Sequence, residues 1–145
     1  MTCWPLLWRK RNRFVTPLNQ NPRRMGRAML KVLLAEDDRT MVSLLEILLR
    51  MEGFQVVVLA GECSDILEVV RREMPAIVLM DIFLGDTNGI DLVRKIRQIP
   101  ELTNTKVIMT SGMDLRDECL AAGASDFLLK PYMPEDLVQK LKSIK

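Results

Sequence analysis

From Lys31 onward the chain alternates short apolar runs with stretches of helical period. Val32, Leu33, Leu34 and Ala35 form a run closed by Glu36, Asp37 and Asp38, after which Met41, Leu44, Leu45, Leu48 and Leu49 recur at helical spacing until Gly53. Residues 54–60, with three consecutive valines, predict a second strand, and residues 64–73 a second helix with Ile66, Val69 and Val70 on one face. Residues 76–80 are uniformly apolar, follow Pro75 and stop at Asp81; five residues are too few for a buried helix and read as a strand covered on both sides. A loop over 82–88, rich in turn formers, leads to a helix over 89–98 capped by Asn88, with Ile90, Val93 and Ile96 facing inward. Residues 107–110 predict a fourth strand, 115–122 a short helix stopped by Gly123, and 127–129 a fifth strand. Pro134 opens a last helix with Glu135 and Asp136 in its first turn and Leu137, Leu141 and Ile144 on one face.

Strands that alternate strictly with helices demand right-handed crossovers, hence a parallel sheet with helices on both faces. The expected fold is α/β: a doubly wound, five-stranded parallel sheet ordered 2-1-3-4-5. That order puts the second predicted strand at an edge and the other four side by side.

Composition narrows the chemistry. Residues 1–30 carry seven basic side chains and no acid, whereas residues 31–145 carry fourteen basic and nineteen acidic, a net of −5. The body therefore argues against nucleic acid as its main partner. Residues 1–28 are expected to be a basic, disordered extension, with contact to nucleic acid or anionic lipid as the alternative, and residues 29–145 the folded domain. No apolar stretch approaches the roughly 20 residues needed to span a bilayer. Cys3, Cys63 and Cys119 are odd in number and widely spaced, which fits neither a disulfide framework nor a zinc site and makes a reducing, cytoplasmic compartment the expectation. Histidine is absent, so histidine-dependent nucleophiles, ligands and phosphohistidine are excluded for this chain.

What remains is clustered at strand ends. The first predicted strand ends in Glu36 and Asp37, the third in Asp81, the fourth in Ser111 and the fifth in Lys130. In the expected order these converge, and two carboxylates 4 Å apart repel by about 4 kcal/mol at an effective dielectric near 20. A hard divalent cation relieves that repulsion, and Mg²⁺ suits one or two carboxylates with water and a phosphoryl oxygen. Lys130 adds a positive charge and Ser111 a hydroxyl donor. Together these are the parts that stabilise phosphoryl transfer onto a carboxylate. Asp38 reads instead as the cap of the following helix.

With these motifs in place, residues 31–145 resemble the receiver domain of two-component response regulators, flavodoxin-like (βα)5 proteins similar to the chemotaxis response regulator. Residues 31–38 resemble the acidic-pair strand, 77–81 the phosphoacceptor strand, 107–112 the hydroxyl-switch strand and 123–131 the closing signature. The resemblance implies that Asp81 accepts phosphate and that Mg²⁺ is held by Glu36, Asp37, Asp81 and the Phe83 carbonyl. It further implies that Ser111 and Lys130 contact the phosphoryl group, and that Ser111 and Phe127 form the switch. The implied partners are a histidine kinase or phosphotransfer protein upstream and a protein target, or a second copy, downstream. The sequence stops with the final helix at Lys145, so the expectation is a single-domain regulator without a DNA-binding domain.

Two departures from the family pattern carry expectations of their own. Gly85 stands where the family usually has proline, which predicts a more mobile loop. The segment between Ser111 and Lys130 is about two or three residues short, which shortens the fourth helix of the expected output face. Phe83 and Met113 lie two residues beyond Asp81 and Ser111, and apolar side chains there predict slow loss of phosphate. Among rivals, an aspartate-nucleophile phosphatase of the haloacid dehalogenase type needs a second Asp where Phe83 stands. A flavodoxin-like redox protein needs a Ser/Thr/Gly-rich phosphate loop that does not follow the first strand. A receiver-like docking module that takes no phosphate is the remaining alternative.

Overall fold

The structure, a computed structural model, describes residues 29–59 and 65–143. Each apolar run becomes a strand because neither of its faces meets water. In β1 (Lys31–Ala35) the last four residues are buried, and β3 (Ile77–Asp81) is buried until its terminal Asp81. With β2 (Gln55–Val58), β6 (Lys106–Ser111) and β7 (Asp126–Leu129) they make one parallel sheet ordered β2-β1-β3-β6-β7. This is the doubly wound order expected, with strands β6 and β7 as its fourth and fifth members. Between them the loop after Asp81 folds into a small antiparallel hairpin, β4 (Phe83–Leu84) with β5 (Thr87–Asn88). Its two-residue turn places Gly85 at φ +54°, a backbone region that only glycine enters without a Cβ penalty.

Alternate side chains of the strands feed two cores. On one face Val32, Leu34, Ile77, Leu79 and Ile108 pack against Leu45 and Leu49 of α1 (Arg39–Met51) and Leu137 and Leu141 of α5 (Pro134–Ser143). On the other, Leu33, Val78, Met80, Met109 and Phe127 meet α2 (Ile66–Glu73), α3 (Gly89–Arg97) and α4 (Arg116–Ala122). Burying one large aliphatic side chain contributes about 1.5–3 kcal/mol, so the two cores, not the weak helix propensity of segments this short, hold the helices in place.

The helices differ from expectation in detail. Asp38 is the N-cap of α1, accepting from the N–H groups of Thr40 and Met41, as expected. The second helix starts two residues later than position 64 because Asp65 caps it through the Glu68 N–H. Asn88 caps α3 through the Ile90 N–H, but the fully inward positions are Leu92, Val93 and Ile96, with Ile90 only half-buried. Leu44 is exposed: α1 lies on the sheet through Leu45 and Leu49, and a stripe of Leu44, Ile47 and Met51 faces solvent. The expected extension over 1–28, Cys3, Cys63, the end of the second predicted strand at Ala60 and Ile144 lie outside the described residues. No helix among the described residues is long and apolar enough to cross a membrane.

Candidate functional site

Parallel pairing sets the site. Asp81 is in register with Thr110 and Ser111 with Leu129, so the C-terminal ends of β3, β6 and β7 lie side by side, and β1 flanks β3 on the other side. The Lys130 N–H donates to the Ser111 carbonyl at 2.8 Å, which fixes the start of the Lys130 side chain at the same rim, and the peptide from Lys130 to Pro131 is cis.

The Lys130 ammonium reaches two carboxylates at once, donating to Asp81 Oδ2 at 2.8 Å and to Glu36 Oε2 at 2.9 Å. The side chains of Glu36 and Asp81 are only 10% and 16% exposed, so these are charge-assisted bonds with little competition from water. Burial alone pushes the Lys130 ammonium below its ordinary value. The hydrogen bonds to Asp81 and Glu36 and the charges of both outweigh burial and raise it. Nearby, burial pushes the Tyr132 hydroxyl up to about 12; Lys130 opposes that shift and the charges of Glu36 and Asp81 add to it.

The remaining oxygens are also committed. Asp81 Oδ1 accepts the Phe83 N–H at 3.2 Å, and Glu36 Oε1 accepts the N–H groups of Asp37 and Asp38 at 3.1 and 3.2 Å. The Asp37 carboxylate is held at the turn of the hairpin, where its Oδ2 accepts the Gly85 N–H at 3.0 Å. Ser111 is buried, with its Oγ accepting the Met113 N–H at 3.1 Å, which leaves the hydroxyl hydrogen to donate elsewhere. Phe127 is 1% exposed and lies inward in the core beneath α4.

The structure thus brings Glu36, Asp81 and Lys130 into contact, sets Ser111 at the neighbouring strand end, and holds Asp37 against the β4–β5 hairpin. Two formal negative charges, Glu36 and Asp81, meet one ammonium, a residual of −1, and Asp37 adds a further negative charge at the hairpin. Among the described residues no three acids stand close enough to cage an ion unaided. Mg²⁺ keeps most of its waters and takes one or two carboxylates, so a set of Asp37, Asp81 and a backbone carbonyl fits it, whereas a Ca²⁺ cage needs more ligands. Sequence reasoning missed the Gly85 amide as a partner of Asp37. The signal was present: Gly85 and Asp86 between two short extended pairs are a two-residue hairpin turn.

A doubly wound sheet whose carboxyl edge gathers two acids on one lysine, with a buried hydroxyl beside them, defines a receiver-type α/β domain. The chain belongs to the response regulator receiver domain family, whose model matches residues 32–142. It is 35% identical over 115 residues to the DNA-binding response regulator MtrA of Mycolicibacterium smegmatis, covering 78% of this chain and 49% of the relative. It is 38% identical over 119 residues to the transcriptional regulatory protein CpxR of Escherichia coli, covering 80% and 49%. The chain therefore spans about half the length of the curated relatives it matches. Among solved structures, the receiver domain of the sensor histidine kinase PA1611 from Pseudomonas aeruginosa aligns at a TM-score of 0.67 and 28% identity. That alignment covers 80% of this chain and 97% of the solved one, which is described with a magnesium ion coordinated in its active-site cleft. Domains of this family are signalling domains, and Mg²⁺ and aspartyl phosphate are general features of the family.

Proposed function

We propose that Asp81 accepts a phosphoryl group from a phosphohistidine of a histidine kinase or phosphotransfer protein, and that the altered surface is then read by another protein or a second copy. The observation that carries this reading is the Lys130 ammonium lodged between Asp81 and Glu36 at 2.8 and 2.9 Å. An ammonium so placed orients the acceptor oxygens and remains available to the incoming phosphoryl oxygens.

In the transfer, the P–N bond to the donor imidazole breaks with its electron pair leaving on nitrogen, and a bond forms between phosphorus and an Asp81 carboxylate oxygen. Lys130 binds a phosphoryl oxygen, and the Ser111 hydroxyl donates to another once it turns from its place beside the Met113 amide. Asp37, Asp81 and the Phe83 carbonyl are the groups that would hold Mg²⁺, with Glu36, whose oxygens accept from Lys130 and from the Asp37 and Asp38 amides, beside them. When bound, the ion supplies positive charge against the phosphoryl oxygens. Ser111 turning, with Phe127 packed inward, would favour one of two arrangements of the surface around β7. Leu120, Leu129 and Met133 are exposed there, on α4, on β7 and just before α5, as apolar contacts for a reader.

MtrA and CpxR are named for DNA binding and transcription, and this chain spans about half of their length. The net charge of −5 over residues 31–145 is unsuited to DNA, so the contacts of the described residues are assigned to proteins. The compartment that suits such a relay and the free, buried Cys119 thiol is the cytoplasm.

The test is incubation of the purified chain with acetyl phosphate or phosphoramidate and Mg²⁺, followed by intact mass. One added phosphoryl group that is absent from Asp81→Asn supports the reading. No added mass leaves the phosphate-free docking module in its place.

A further inference from the structure

The carboxylate of Asp37 is held by a residue 48 positions away. The Gly85 N–H donates to Asp37 Oδ2 at 3.0 Å, joining the acidic end of β1 to the turn of the hairpin that follows the acceptor strand. The hairpin is otherwise closed on itself, Phe83 pairing with Asn88 and Leu84 with Thr87. No heavy atom lies within 4 Å of the place a Gly85 Cβ would occupy, so packing does not require glycine there. The left-handed φ of +54° favours it, and in that turn the amide is the group offered to β1. A proline at this position would have no N–H to offer.

Among the described residues the other oxygen of Asp37, Oδ1, accepts no hydrogen bond. A carboxylate tied at one oxygen and open at the other presents its free lone pairs in a set direction. Hydrogen bonds of this kind orient metal ligands, and their loss typically costs tenfold to a hundredfold in affinity. Mg²⁺ demands near-octahedral geometry, which one oxygen from each carboxylate satisfies, so the cation and the Gly85 amide can occupy different oxygens of the same group. We infer that the Gly85 N–H is a positioning donor that orients Asp37 for the divalent cation of the proposed site. The inference rests on that reading of the pocket. It assigns Gly85 a role in cation affinity in place of mere loop mobility.

The experiment uses the full chain without any phosphodonor. Mg²⁺ binding is measured by calorimetry for the wild type, for Gly85→Pro, which deletes the donor and whose ring also forbids the left-handed φ, and for Gly85→Ala, which keeps the donor and carries the strain of that φ. Exchange protection of the Gly85 amide is followed by NMR in the wild type as Mg²⁺ is added. The expected result is a loss of about tenfold in affinity for Gly85→Pro. Gly85→Ala stays within about threefold of the wild type, since the strain of a non-glycine residue at this φ is borne by the free and the Mg²⁺-bound chain alike and cancels in the affinity. The Gly85 amide remains protected at saturating Mg²⁺. Equal or tighter binding by Gly85→Pro overturns the inference, as does an equal loss in Gly85→Ala. An amide that loses protection as the cation binds overturns it as well, because the two then compete for Asp37. A wild type that binds no Mg²⁺ overturns both this inference and the cation site. One that binds Mg²⁺ but gains no phosphoryl mass overturns the acceptor reading alone.

Discussion

Lys130 and Asp81, 49 positions apart in the chain, meet at 2.8 Å across the carboxyl edge of the sheet, and Glu36 closes on the same ammonium from β1. Removing that ammonium leaves two carboxylates, each more than four-fifths buried, facing one another. Lys130→Ala is therefore expected to slow phosphorylation of Asp81 by about a hundredfold, the scale of losing one preorganised charge-stabilising donor. Acetyl phosphate kinetics read by intact mass measure this. A change under threefold would show that the lysine only compensates charge at rest.

The pH dependence of stability has a separate origin at each end. Lys130 and Tyr132 both have raised values in the folded chain. A raised group contributes stability that is fully present below its unfolded value and lost as pH rises through the folded one. The alkaline loss therefore begins near the ordinary tyrosine and lysine values of 10.0 and 10.5 and runs, for Tyr132, to about 12. Tyr132→Phe is expected to flatten that limb, as read by urea midpoints across pH.

At the acid end the group is Asp126. Burial acts to raise its carboxyl, but the Lys140 hydrogen bond at 2.8 Å, the Phe127 amide and the charges of Lys140 and Arg116 outweigh burial and lower it. A depressed carboxyl contributes stability that is present above the ordinary value of 3.8 and lost as pH falls through the folded one. Asp126→Asn should leave the urea midpoint much less sensitive to acid below pH 4. An unchanged acid slope would assign it to other carboxylates.

Gly89 opens α3 directly behind the acceptor. A Cβ there would lie 2.9 Å from the Asp81 carbonyl oxygen, 3.0 Å from Ile82 Cα and 2.8 Å from Met109 Cε. Helix propensity alone favours alanine over glycine by about 1 kcal/mol. Two of the three neighbours are backbone atoms and cannot yield cheaply, so Gly89→Ala is expected to destabilise by about 1–3 kcal/mol as overpacking does. It should also slow phosphorylation by displacing Asp81. Urea unfolding gives the sign: a stabilised variant would mean that the backbone there moves freely.

Phe83 and Met113 are 54% and 59% exposed, two residues beyond Asp81 and Ser111, where water would approach an acyl phosphate. Phe83→Asn replaces an apolar cover with a group that can hold a water molecule and is expected to shorten the acyl-phosphate lifetime by about tenfold, within the range of positioned proton-transfer or water-orienting groups. The decay of phosphorylated mass after removal of the donor measures it. An unchanged lifetime would discard the role of this side chain.

The strand order and both cores were legible because the apolar runs around Leu33, Leu79 and Ile108 are buried on both faces, a pattern that only a parallel sheet accommodates. Lys130 was legible as part of the pocket because strand ends in a parallel sheet share one rim. The orientation of Asp37 was not: Gly85 and Asp86 mark the hairpin turn, but which distant carboxylate its backbone amide meets leaves no mark in the identity of a side chain. Leu44 illustrates a different limit. It satisfies the helical period yet lies exposed, because a stripe of Met41, Leu44, Leu45, Leu48 and Leu49 is wider than the face α1 turns to the sheet.

The most direct measurement traps the acyl phosphate. The chain is treated with acetyl phosphate and Mg²⁺, reduced with borohydride, which converts an aspartyl phosphate to homoserine, and sequenced by mass spectrometry. The account predicts homoserine at position 81 and nowhere else; homoserine at another acid, or none at all, would contradict it.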